Sequence, residues 1–82
     1  MSAAMASNTE TVVVYVQLLG EGTIVYRPAL GIPEGPKLVR LLEPDNYDAD
    51  DEDWEFKPGV LVRVEHRQLS QEDVFVAVAV AE

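Results

Sequence analysis

Seven carboxylates crowd into eleven residues at Asp45, Asp48, Asp50, Asp51, Glu52, Asp53 and Glu55, and Glu43 just before them makes eight of the chain's fifteen acids. Oxygen clusters of this kind suit Ca²⁺, which takes six to eight oxygen ligands. The EF-hand spacing is not met. Counting from Asp48, the sixth position is Asp53 where the loop needs glycine, and the twelfth is Gly59 where it needs a bidentate glutamate. The plainer reading is a solvated acidic loop, and a third is a docking surface for a basic partner. No residue set is assigned to a metal and no cofactor is expected.

Catalytic groups are sparse. His66 is the single histidine, and the strand alternation around it places it on a core-facing side as a packed residue. Ser2, Ser7 and Ser70 fall in a tail or a turn, with no nucleophile elbow to bring one to a base. Gly20-Glu21-Gly22 lacks the further glycines, the lysine and the helix of a phosphate loop. Paired carboxylates for acid–base work need a pocket that separates their pKa values, and an acidic loop in water offers none. The expectation is a protein without enzymatic activity.

Binding chemistry is better represented. Tyr26, Arg27, Trp54, Phe56 and Arg63 combine aromatic and guanidinium groups, the side chains that concentrate binding energy at protein interfaces. Trp54 and Phe56 close the acidic loop at alternating spacing, where the indole serves either as an interface anchor or, the favoured reading, as a lid over a small core. Tyr15 and Tyr47 fit an aromatic surface or ordinary packing equally. Arg63 and Arg67 share one face of their strand, so the acidic loop is expected to fold back and pair with them.

Five strand-like segments must position these groups, and none shows a helical period. Residues 11–19 are a Val-rich, almost continuous apolar run, so both faces of that strand are candidates for cover. Residues 20–22 break it as a hairpin loop. A second strand, 23–30, contains Pro28, which donates no ladder hydrogen bond and belongs on an edge or at a bulge. Ile32-Pro33-Glu34-Gly35 reads as a type I turn. Strand three covers 37–42 and the long acidic loop 43–57. After Pro58-Gly59, strand four sets Val60, Val62, Val64 and His66 on one face and Leu61, Arg63, Glu65 and Arg67 on the other. Residues 68–73 turn the chain into strand five, 74–80, with Val74, Val76, Val78 and Val80 opposite Phe75, Ala77 and Ala79. Five short strands joined by turns predict an all-β domain, a five-stranded antiparallel barrel or strongly bent sheet of SH3-like type.

Eighty-two residues allow one domain, here residues 11–82 behind a flexible tail at 1–10. Hydrophobic residues make up 48%, enough for a core. A net charge of −9 opposes binding to phosphate backbones and to anionic membranes, so neither nucleic acid nor membrane is an expected partner. The absence of cysteine excludes disulfides and thiolate sites and fits a cytoplasmic location.

Two stretches carry a resemblance. Leu18-Leu19-Gly20-Glu21-Gly22-Thr23 runs on to Val25-Tyr26-Arg27-Pro28, and Trp54-Glu55-Phe56-Lys57-Pro58-Gly59 runs on to Val62-Arg63-Val64-Glu65. Together, over roughly residues 14–65, they resemble a group of short uncharacterised bacterial proteins in which a Trp often stands at the position of Tyr26. The resemblance implies a bacterial origin and a compact β-domain, and it implies no activity. The strand count is also similar to that of SH3-like barrels. Their longest loop usually joins the first two strands, whereas here it joins the third and fourth, so peptide recognition does not carry over.

The function expected from these residues is a small protein-interaction module engaging a protein partner, a basic one on the net charge, through Tyr26, Arg27, Trp54, Phe56 and Arg63. Alternatives are an acidic nucleic-acid mimic that inhibits a DNA-binding protein, a weak Ca²⁺-binding regulator, and a homodimer formed by Val-rich strand edges.

Overall fold

The computed structural model describes residues 10–45 and 47–81, in which five strands follow one another as an antiparallel meander. They are β1 (Val12–Leu18), β2 (Val25–Gly35), β3 (Leu38–Leu41), β4 (Leu61–Leu69) and β5 (Glu72–Val80). A meander with an odd number of strands brings its first and last strands to the same direction, so the ring closes through a parallel pair. β1 meets β5 with Val14 opposite Phe75 and Tyr15 opposite Val76. The fold is therefore all-β, one sheet closed into a barrel. The tail expected at 1–10 lies outside the described residues except for Glu10, which is exposed.

Aliphatic residues, most of them valine, fill the interior. Val14, Val16, Ala29, Val39, Leu41, Val62, Val64 and Ala77 are all buried and form one cluster, joined by Trp54 from the long loop. Alternation along β1 sends Val14 and Val16 inward and Tyr15 outward.

β2 is the longest strand because it serves two neighbours in turn. Residues 25–30 pair with β1, Gly31 is opposite both Val12 and Leu41, and residues 32–35 pair with β3 alone. The Leu30 carbonyl accepts from the Leu42 N–H at 2.9 Å, so residues of that parity direct their peptide groups away from β1. Pro28 shares the parity, and its missing N–H thus falls on the side where β2 has no strand beside it, as proline in a strand requires.

Several boundaries differ from expectation. Residues 32–35 are not a turn. They continue β2 with a register irregularity between Pro33 and Gly35, and the chain reverses at Pro36 and Lys37. Pairing of Ile32 and Pro33 with Arg40 and Val39 outweighs the local turn signal. The turn placed at 68–73 is tighter, because Gln68 lies opposite Asp73 and Leu69 opposite Glu72. Only Ser70 and Gln71 remain in it, both at positive φ, 49° and 69°, the pattern of a type I′ hairpin. In β5 the strict alternation breaks, since a register shift leaves Val78 as an extra residue between Ala77, opposite Val64, and Ala79, opposite Arg63.

His66 is not a core residue. It shares a row with Phe75, Val14 and Ala29, on the core-facing side as its alternation implied. The interior ends at Val64, however, and the β4–β5 hairpin runs past it, leaving the His66 side chain 62% exposed against Phe75.

Candidate interaction surfaces

β1 is flanked by β5 only at Val14 and Tyr15, and farther along the same edge the long loop takes over. Leu19 N–H donates to Asp53 O at 2.7 Å and Glu55 N–H to Gln17 O at 2.9 Å, around a bridge between Leu18 and Trp54. Residues 53–55 thereby act as a short extra rung that covers an edge otherwise open to pairing. The rung drives Trp54 inward to full burial, with Tyr47 edge-on at 5.2 Å. The loop's acidic stretch is itself built as a turn. Asp48 Oδ1 accepts from Asp50 N–H at 2.9 Å, and the Asp48 carbonyl accepts from the N–H groups of Asp51 and Glu52, both at 3.0 Å.

Glu52 joins loop to barrel. Its Oε1 accepts from Trp54 Nε1–H at 2.9 Å and lies 3.3 Å from Arg27 Nε. Arg27 stands opposite Val16 on the inner side of β2, and its Nε is buried with an N–H that does not point at any acceptor. The contact is thus an ion pair by proximity. Lys57 pairs with Asp53 at 2.6 Å on the outside.

The loop does not pair with Arg63 and Arg67. Arg67 donates to Glu65 on its own strand at 2.6 Å, and among the described residues Arg63 has no carboxylate in ion-pair contact. Arg27 at the barrel end takes that role through Glu52. Among the described residues, no group of three or more His, Asp or Glu is arranged to hold a metal ion. His66 Nδ1 lies 3.7 Å from Asp73 Oδ2 with both side chains largely in water. No described helix is long and apolar enough to cross a membrane.

The five aromatic and arginine residues separate into two places. Arg27, Trp54 and Phe56 belong to the plugged barrel end, where Trp54 has no accessible surface and Phe56 packs on the core. Tyr26 lies opposite Gln17 on the outer surface, half-buried, and Arg63 is exposed on the outer side of β4. Trp54 is the lid, not a contact residue.

The outer surface contains more than those two. One row crosses four strands, Glu65 to Val76 to Tyr15 to Pro28. Val76 is buried although it faces outward, flanked in its row by Tyr15 and Glu65. Beside this row Val13 and Leu30 stand opposite each other at 47% and 50% exposure, an apolar pair left in water. Charge gathers at the β4 side. Arg67 hydrogen-bonds Glu65, and Arg67, Arg63 and Lys37 act together on its carboxyl, holding it below the usual glutamate range. The same bond raises Arg67. Glu65 is the one carboxylate in the four-strand row, so the ordered array of acids that a nucleic-acid mimic needs is not built there. Val13, Tyr15, Leu30, Lys37 and Arg67 were not in the sequence-derived surface. For Val13 and Tyr15 the signal was the almost continuous apolar run of 11–19, which leaves side chains on both faces of β1.

No protein-family model matches the chain, and no curated protein and no solved structure matches it.

Proposed function

We propose that the chain is a small, non-enzymatic protein-interaction module that docks through the outer face of β4, β5, β1 and β2. The observation that carries this reading is the pair Val13 and Leu30, about half exposed on opposed strands beside Tyr15. Side chains on a closed sheet are already held in place, so a partner covering them gives up little conformational freedom to do so. An apolar centre bordered by Tyr26, Arg63 and Arg67 has the composition of an interface whose energy is concentrated in a few residues. The proposal takes the module as cytoplasmic and bacterial, on the cysteine-free chain and the resemblance of its two sequence stretches.

A photo-crosslinking residue at position 13 or 30, compared with one at exposed Asp50 in the acidic loop, tests the face. The expected result is a discrete crosslinked protein from positions 13 and 30 in the native lysate. It should disappear on competition with unlabelled wild type and persist on competition with a Val13→Ser/Leu30→Ser variant of unchanged melting temperature. Equal crosslinking from position 50, or equal competition by the variant, overturns the reading.

A further inference from the structure

The chain has six Lys and Arg residues, and they are not used alike. Arg27, Arg40 and Lys57 each have a carboxylate within ion-pair distance, Glu52 at 3.3 Å, Glu34 at 3.0 Å and Asp53 at 2.6 Å. Arg67 instead hydrogen-bonds Glu65, Arg63 and Lys37 act on the same carboxyl, and among the described residues neither of those two has a carboxylate in ion-pair contact, so three cations gather on Glu65. Tyr26 also acts on the Arg67 charge, and it is not an acid at neutral pH. A molecule of net charge −9 thus keeps, among its described residues, a border where cations outnumber carboxylates on the sheet face that bears its exposed Val13 and Leu30. Like charges close together cost free energy, and each of the other three cations offsets that cost with a carboxylate in ion-pair contact.

We infer that the occupant of this face is an extended acidic segment of another protein, with apolar side chains over Val13, Tyr15 and Leu30 and carboxylates meeting Arg63, Arg67 and Lys37. The inference rests on the docking face proposed above and adds the chemistry of what it takes. A basic segment would meet uncompensated cations at the β4 border. An acidic one supplies the carboxylates that Lys37 and Arg63 lack and leaves the bond between Arg67 and Glu65 intact. The chain's own acids do not forbid this. At physiological salt, charges beyond about 8 Å are largely screened, so the contact energy is decided by the patch and not by the total charge.

The test uses the full chain and short fluorescein-labelled peptides of alternating Leu with Glu, Lys or Ser, read by fluorescence anisotropy. The Glu peptide is expected to bind saturably, and the Lys peptide about tenfold more weakly or not at all. Lys37→Ser/Arg63→Ser breaks no observed ion pair, so its melting temperature should hold while the Glu peptide loses about tenfold in affinity. Val13→Ser/Leu30→Ser should weaken the Glu and Ser peptides alike. Preference for the Lys peptide, or no saturable binding of the Glu peptide, overturns the acidic partner. Loss in Val13→Ser/Leu30→Ser with full retention in Lys37→Ser/Arg63→Ser keeps the face and overturns its charge preference. Binding that neither variant weakens overturns both.

Discussion

Trp54 donates its indole N–H to Oε1 of Glu52, two residues earlier in the same loop, at 2.9 Å. The bond answers the one polar requirement of an indole that is otherwise wholly inside the barrel, and it places the accepting oxygen beside the buried Nε of Arg27. An acidic residue is thereby the fastening between the loop and the barrel end.

Removing that acceptor should therefore cost more than an ordinary surface change. Glu52→Ala leaves a buried indole N–H and a buried guanidinium nitrogen without the oxygen they share, a loss of about 1–3 kcal/mol. Glu52→Gln keeps an oxygen for Trp54 and should lose less. Because Trp54 is the chain's single tryptophan, its fluorescence follows urea unfolding without interference. Equal midpoints for wild type and Glu52→Ala would show that the oxygen does not hold the loop.

Gly31 tests the crossing of β2 from one neighbour to the other. A methyl group at that position would lie 2.3 Å from Val39 Cγ1 and 3.0 Å from the Arg40 carbonyl oxygen. Gly31→Ala should destabilise the barrel by about 1–3 kcal/mol through overpacking. For a domain of this size each kcal/mol lowers the melting temperature by roughly 4–8 °C. Combining it with Val39→Ala removes the closer contact but not the carbonyl. The double variant should be more stable than the sum of the two single losses predicts, by calorimetry. Strict additivity would place the clash elsewhere.

These sites show what was legible from the chain and what was not. The five strands, the inward Val62 and Val64, and the long loop follow from valine spacing and from glycine and proline punctuation. The sharing of an outward face by Arg63 and Arg67 followed from parity. Where the loop goes did not, because a choice between two docking places is decided by size of effect. An exposed ion pair contributes about 0–1 kcal/mol. Burying an indole removes roughly 150–250 Å² from water, worth about 4–6 kcal/mol at ~25 cal/mol per Å². Trp54 therefore takes the loop to the barrel end and away from Arg63 and Arg67. His66 was misplaced for another reason, since alternation tells which face a residue occupies and not where the interior stops. Pro33 and Gly35 look like a turn locally, and only the pairing with β3 keeps them extended.

The bond between Arg67 and Glu65 has a definite pH signature. Arg67 donating to Glu65, with Arg63 and Lys37 nearby, lowers the carboxyl below its ordinary value. A group whose folded pKa is depressed stabilises the fold above its unfolded pKa, about 4.3 for glutamate, and that contribution is lost as pH falls through the lower folded value. Carboxyl chemical shifts should show Glu65 titrating below this range, and Arg67→Gln should move its midpoint upward. A midpoint indifferent to Arg67 would mean that the pair does not persist in solution.

Backbone relaxation of the acidic loop separates the two arrangements available to it. If the loop were tethered by the outer arginines, Arg63→Ser/Arg67→Ser would raise the mobility of residues 48–53. In the barrel, Arg67 is engaged by Glu65 and Arg63 touches no loop carboxylate, whereas Glu52 reaches Arg27 and Trp54. The expected outcome is unchanged ¹⁵N relaxation in the outer double variant and lowered order parameters at residues 48–53 in Arg27→Ser and in Glu52→Ala. Arg27→Ser should act more weakly, since it leaves the acceptor for Trp54 in place and removes only a contact whose N–H is poorly aimed. The ranking arises from hydrogen-bond geometry, where a directed donor at 2.9 Å outweighs a nearby charge that points elsewhere. A loop loosened by the outer pair and indifferent to Glu52 would reverse that ranking and move the fastening to the other side of the barrel.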